Sequence, residues 1–306
     1  MAHLIKLEDY ISRYQFDLNR YPSQFARMKK ERWYYLKSEW EQNQQYDGKE
    51  EDTEEALIDD EKGFVSKAMQ RLKNWNKPSQ FQTDVNENTD KENHLQSLSL
   101  AQLKTKFLDE IFSSQLRWAS SSLLEESVLH PRYQYDKWLR FFTEHFPDNY
   151  FLMYKPVFYI KKARIELDIL LISPTELICL TILEGNELSV FEANSDRFWT
   201  EYVEKTRKKR LSPLLSLTRM TGVIKPLLDS ANIHFPIRNI VFCPNSIIDN
   251  KVQGVKVEFI DKRTFEVWKE KQRKHPSPLK HDQLKVTNLL LSYCFTTSSK
   301  REGEDA

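Results

Sequence analysis

Glu166 and Asp168 interrupt an otherwise apolar run, Ile165-Glu166-Leu167-Asp168-Ile169-Leu170-Leu171-Ile172. Two residues apart on a strand, their carboxylates emerge on one face. A carboxylate pair at the edge of an apolar sheet can hold a divalent cation, which takes oxygen ligands. The plainer reading pairs the two acids with Lys161, Lys162 or Arg164 and leaves them as the solvated edge of a strand. A second candidate is the run Lys205-Thr206-Arg207-Lys208-Lys209-Arg210, five cations in six positions. Such a run can neutralise several phosphates in a salt-sensitive way, or it can be an exposed turn.

Other chemistries find no support in the residue pattern. His3, His94, His130, His145, His234, His275 and His281 show no paired metal spacing. Cys179, Cys243 and Cys294 are odd in number and far apart, and each sits among apolar neighbours. Buried free thiols in a reducing compartment fit them better than disulfides. Only six glycines occur in the 306 residues, too few and too scattered for a phosphate-cradling loop. The net charge is +1 with 30% charged residues, so any attraction to nucleic acid must be local. No window approaches the ~18 apolar residues of a membrane span, and the first residues lack the apolar core of a signal peptide. The expectation is a cytoplasmic protein that does not engage a membrane.

The elements that must position these residues follow from periodicity. Residues 164–185 read as a β-hairpin turning at Ser173-Pro174-Thr175-Glu176, with both strands largely buried. Upstream, Leu4, Leu7, Ile11, Tyr14 and Leu18 keep helical steps, and Phe25, Met28, Trp33, Leu36 and Trp40 resume them after Pro22. This predicts two helices joined at residues 21–23, with Ser23 as a cap. Residues 47–62 hold nine acids against two lysines, the composition of a solvated connection. A third helix is expected over 63–75, a flexible linker over about 76–97, and a fourth helix from Leu100 to Trp118. Residues 1–126 therefore read as a helical module.

From residue 127 the character changes. A helix over 135–146 precedes strands at 150–160, 166–172, 177–183 and 187–192. Residues 194–210 read as a polar loop, and Ser212-Pro213 as a cap followed by a helix through Leu227. Strands at 237–243 and 255–260, helices at 265–270 and 282–294, and a disordered tail at 296–306 complete the chain. The fold class expected for 127–295 is α/β or α+β, a mixed central sheet flanked by helices and preceded by the helical module.

Residues 133–246 resemble the NERD, or nuclease-related, domain of the PD-(D/E)XK nuclease-like fold, which is restriction-endonuclease-like. The resemblance is carried by the run from Ile165 to Leu171 with Ser173-Pro174, the strand from Leu177 to Leu183 ending near Gly185, Trp199, Ser212-Pro213-Leu214, and Ile240-Val241-Phe242. It implies a metal-dependent phosphodiesterase site: an acid on the first helix, an Asp on the second strand, Glu-x-Lys on the third, and a Gln on the next helix. Carboxylates there hold a cation that polarises phosphate while Lys steadies developing charge. Asp168 matches the Asp, and Asp136 stands near the helix acid. The Glu-x-Lys positions read Thr181-Ile182-Leu183, Ser216 stands near the Gln, and Ser212 near the Asn of the Asn-Pro that the resemblance implies before that helix. Losing a charge-stabilising group of this kind costs ~10²–10³ in rate.

The resemblance therefore implies a catalytically degenerate nuclease fold acting in binding or as a scaffold, with DNA or RNA as partner through Lys205, Arg207, Lys208, Lys209 and Arg210. Two alternatives stand beside it. One is an active enzyme using Mg²⁺ or Mn²⁺ with ligands relocated to Asp168, Glu166, Asp136 or Glu184. The other is a protein–protein module whose N-terminal helices or acidic block meet a protein partner.

Overall fold

In a computed structural model, residues 1–46, 98–252, 256–274 and 277–300 are described. The helix expected at 63–75, the acidic block at 47–62 and the linker to residue 97 lie outside them. In chain order the strands are β1 (His3–Leu7), β2 (Glu125–Glu126), β3 (Phe151–Tyr154), β4 (Val157–Ile160), β5 (Ala163–Glu166), β6 (Ile169–Ile172), β7 (Leu177–Ile182), β8 (Ser189–Ala193), β9 (Phe198–Val203), β10 (Thr206–Leu211), β11 (Ile237–Cys243), β12 (Ile247–Asn250), β13 (Val257–Asp261) and β14 (Ser299–Lys300). The helices are α1 (Tyr21–Tyr46), α2 (Leu100–Trp118), α3 (Lys137–His145), α4 (Pro213–Ser230), α5 (Phe265–Arg273) and α6 (His281–Ser292). The fold is a mixed α+β one with a central mixed sheet flanked by helices. No helix among the described residues is long and apolar enough to cross a membrane.

The central sheet has the order β1-β3-β6-β7-β11-β13. β3, β6 and β7 run antiparallel in succession, while β1 lies parallel to β3 and β7, β11 and β13 lie parallel to one another. Every residue of β1, β3 and β6 is buried, as strands covered on both faces require. On one face Ile178, Leu180, Ile240 and Phe242 join Leu139, Phe142 and Phe146 of α3 and its C-terminal edge, with Phe112 and Leu116 of α2. On the other, α4 packs on β7 and β11 and meets α6. A second sheet, β10-β9-β8-β12, grows from the segment between β7 and β13.

Compact units divide the chain into Met1–Lys29 with Leu108–Ala306, and Lys30–Phe107. Residues 1–29 and 108–126 fall in the unit that holds the central sheet. In the second unit, Leu36 and Leu103 are buried among Trp33, Trp40, Leu98 and Phe107, and the Trp40 indole donates to the Leu98 carbonyl at 2.7 Å.

Four expectations are corrected. Residues 3–7 form a strand, not a helix. Its free edge is closed by Gln115, whose Oε1 accepts from Leu4 N at 2.7 Å and whose Nε2 donates to Ala2 O at 2.6 Å, so the backbone finds partners that a short helix would not offer. Ser23 is inside α1 and its hydroxyl bonds back to Arg20 O at 2.8 Å, while Asp17 accepts from Asn19 N and Arg20 N at the approach. In the stretch expected as a disordered tail, Ser299 and Lys300 pair to Glu126 and Glu125, and residues 301–306 lie outside the described residues. The polar loop at 194–210 is instead the β9–β10 hairpin.

A fifth correction concerns the hairpin that carries the acids. Residues 164–185 form one hairpin only in their second half, β6–β7, where Ser173 Oγ accepts from Thr175 N and Glu176 N. The apolar run from Ile165 to Ile172 breaks at Leu167-Asp168, opposite a break at Lys155-Pro156. Lys155, with φ 50°, donates its N–H to Asp168 O at 2.6 Å, and Leu167 N donates to Pro156 O at 3.0 Å. Pro156 has no N–H to give the ladder, so both strands bend at one level. Beyond the bend β4 and β5 leave as a separate ribbon closed by Lys161 and Lys162, both at positive φ, as a two-residue turn of this hand needs.

β1 buries two basic side chains. The Lys6 ammonium donates to Tyr10 O at 2.6 Å, Thr296 Oγ1 at 3.0 Å and Gln15 Oε1 at 3.3 Å, all uncharged. Burial pushes it down to about 8, and burial pushes the His3 imidazole down to about 3. With both groups below their unfolded values, the unfolded chain binds more protons and stability rises with pH across each window. For Lys6 that window runs from about 8 to 10.5. Cys179, Cys243 and Cys294, whose thiols burial pushes up, oppose this above their ordinary value of 9, and buried Tyr14 and Tyr154, whose hydroxyls burial pushes up, oppose it above 10. The Lys6 share of the unfolding free energy, read in urea as wild type minus Lys6→Met, is expected to climb by about 2 kcal/mol between pH 8 and 10. In the acid range, where His3 titrates in both proteins, that difference should stay level.

Candidate functional site

A cleft of about 1060 Å³ opens at the bend, lined among others by Asp136, Trp138, Tyr154, Lys155, Glu166, Asp168, Glu184 and Arg219. Asp168 is its centre. Its Oδ2 accepts from Thr181 Oγ1 of β7 at 2.6 Å and from Ser216 Oγ of α4 at 2.7 Å. Its Oδ1 lies 3.6 Å from the Arg219 guanidinium, which also donates to Ser216 Oγ at 3.3 Å. Ser216 and Arg219 are three apart on α4 and so share a helix face. The helix is oriented by its cap, in which Ser212 Oγ accepts from Leu214 N with Pro213 at the first helical position, as the sequence predicts.

The other predicted acids do not join Asp168 at one point. Glu166 lies in β5 opposite Val157, across the break from Asp168, so the two do not share one strand face. Both line the cleft, with Glu166 and Glu184 exposed. Asp136 caps α3, its Oδ1 accepting from Trp138 N and Leu139 N at 3.0 Å, and both its oxygens accept from Tyr154 OH at 2.9 Å. Among the described residues no three of His, Cys, Asp and Glu gather so as to hold a metal ion. The residues present do not fit a divalent cation. Asp168 is satisfied by two hydroxyls and a guanidinium, Asp136 by two amides and a phenol, and the Leu183 side chain beside Thr181 is apolar and buried. Arg219, which the sequence reading passed over, supplies the positive charge; its spacing from Ser216 was the available signal.

The cation run maps to β10, an edge strand exposed along its whole length, and not to a turn. Lys205 lies in the turn before it. Register divides the rest: Lys208 and Arg210 stand opposite Glu201 and Trp199, and Arg207 and Lys209 opposite Tyr202 and Thr200. Trp199 and Glu201 are buried, Trp199 reaching Phe259 of β13 at 6.0 Å. Burial would push the Glu201 carboxyl up, but hydrogen bonds from Arg210 Nε at 2.7 Å and Ser189 Oγ at 2.9 Å hold it below its ordinary range. Arg210 is thereby committed to a buried carboxylate. Lys205, Arg207, Lys208 and Lys209 have no acid bound to them in the ion pairs of this sheet, which are Arg210 with Glu201 and Lys251 with Glu192 and Asp249.

The chain is 30% identical over 117 residues to an RNA 2′,3′-cyclic phosphodiesterase of Geobacillus stearothermophilus. The match covers 38% of this chain and 36% of that protein, so the chain spans about a third of the length of this curated relative. No family model matches, and no solved structure matches.

Two mutations test this geometry. Asp168→Ala leaves the buried Thr181 hydroxyl without its acceptor, while Ser216 and half-exposed Arg219 can turn to water, and should lower stability by about 1–2 kcal/mol, read as a fall in the midpoint of thermal unfolding. Arg210→Ala leaves Glu201 buried without its cation. Because Arg210 is half exposed, the expected loss is about 2 kcal/mol, below that of a fully buried pair, and it should deepen as pH rises through the carboxylate range.

Proposed function

We propose that this chain is a NERD-like, nuclease-related protein whose metal-dependent centre has been dismantled, and that it binds nucleic acid without cleaving it. The observation that carries the reading is the closed set of bonds on Asp168. In the arrangement that the resemblance implies, Asp168 and the acid of Glu-x-Lys share a cation and a Gln lies nearby. Here the Glu position is Thr181, the Gln position is Ser216, and each turns its hydroxyl onto Asp168. The Lys position is Leu183, and the guanidinium of Arg219 lies where positive charge is needed to balance the carboxylate. A set of this kind is complete without a metal ion. The exposed cations of β10 supply the contact to phosphate. The relative that is named an RNA phosphodiesterase makes RNA the first nucleic acid to try.

The decisive experiment incubates the purified protein with Mg²⁺ or Mn²⁺ and labelled single- and double-stranded RNA and DNA, including RNA ending in a 2′,3′-cyclic phosphate. No strand scission is expected. Binding to RNA is expected, with log affinity falling linearly against log salt. Metal-dependent cleavage that Asp168→Ala abolishes in a still-folded protein would overturn the reading in favour of an active phosphodiesterase. A binding constant indifferent to salt would remove nucleic acid from it.

A further inference from the structure

The outer face of the β9–β10 hairpin holds more than cations. Register places Phe198, Thr200 and Tyr202 of β9 on one face, opposite Leu211, Lys209 and Arg207. This face is the reverse of the one that buries Trp199 and Glu201. Phe198 is 46% exposed, and Tyr202 is partly exposed. The two rings are four residues apart on one strand, about 13 Å at the usual rise. The Arg207 guanidinium lies 5.2 Å from the Tyr202 ring centre, and that of Arg197 lies 5.7 Å from the Phe198 ring centre. On the neighbouring strand β8, Glu192 accepts from Tyr202 OH at 2.8 Å and from Lys251 Nζ at 2.7 Å. These bonds fix the Tyr202 ring and place the acid at the inner border of the face, away from β10.

We infer that this face is a platform for single-stranded nucleic acid, on which Phe198 and Tyr202 stack unpaired bases while Arg207 and Lys209 hold the phosphates. The inference rests on the nucleic-acid reading above and narrows it to unpaired strands. Aromatic rings bind bases through faces that a duplex keeps stacked on one another, so exposed rings interleaved with cations select single strands. Cations alone would serve a duplex equally well. The plainer role of a charged edge strand is to prevent edge-to-edge pairing. That role accounts for the lysines along β10 but not for Phe198 and Tyr202 one strand inward.

The test uses the full chain, a short fluorescent oligouridine and a matched RNA duplex. Phe198→Ala should weaken oligouridine binding about tenfold and leave any duplex binding unchanged. Arg207→Ala combined with Lys209→Ala should reduce the slope of log affinity against log salt by about 1.4, at ~0.7 per phosphate on a single strand. All three side chains are exposed, and a thermal melt of each variant confirms that it folds as the wild type does. If the wild type binds oligouridine with a salt slope but Phe198→Ala has no effect, the stacking platform is overturned while the nucleic-acid reading stands. If the wild type binds no oligonucleotide, both fall. If polyglutamate displaces oligouridine at equal charge concentration, the face is an acceptor for acidic protein segments, and the platform is likewise overturned.

Discussion

Asp168 ties together three elements, β7, α4 and the bend that precedes β6. It reaches across to Thr181 of β7, out to Ser216 and Arg219 of α4, and its own backbone carbonyl takes the N–H of Lys155 at the bend. Where these bonds meet, the sheet stops being flat: β3 and β6 end, β4 and β5 turn away, and the cleft opens in the space between. A carboxylate that accepts two hydroxyl hydrogen bonds next to a guanidinium holds its neighbours in place through charge-assisted bonds stronger than neutral ones. Both hydroxyls take the same oxygen, Oδ2, while Oδ1 faces the guanidinium at 3.6 Å. One interaction thus shapes the cleft.

Charge in this protein is separated by strand pleat and not by sequence block. A net charge of +1 conceals it. On β10 alternate cations point to opposite sides, so one side neutralises buried Glu201 through Arg210 while the other presents Arg207 and Lys209 to solvent beside two rings. The buried side anchors the hairpin on β13 through Trp199 and Phe259. That anchoring makes the outer side a defined surface. The hairpin then runs directly into the cap of α4, so the exposed face and the cleft are joined by only the few residues from Leu211 to Ser216.

The sequence was most legible where local chemistry decides structure. The Ser173-Pro174 turn, the Ser212-Pro213 helix start and the runs forming β7, β11 and β13 could be read from residue types alone. The misreadings have physical causes. His3-Leu4-Ile5-Lys6-Leu7 is buried on both faces, and a fully buried strand carries no alternation, so apolar residues at three- and four-residue steps mimic a helix. The break inside Ile165 to Ile172 leaves no mark in that run, because it is imposed by Pro156 on the neighbouring strand. The charges of residues 194–210 outweighed a strand pattern whose inward residues, Trp199 and Glu201, include a buried acid. The partner of that acid lies nine residues away, across the hairpin. For the candidate site, Asp168 was legible as the centre. Its true partners depended on how α4 is rotated against β7, which no local pattern encodes.

The clasp on Lys6 has a temporal consequence. The first strand takes its place only beside β3, and its lysine finds one of its three acceptors on Thr296, 290 residues further along the chain. Contacts of such separation form late. During synthesis His3–Leu7 therefore precedes its partners, and the cation it must bury has no full cage until Thr296 has been made. An extended apolar segment left waiting in this way is the part of the nascent chain most in need of shielding.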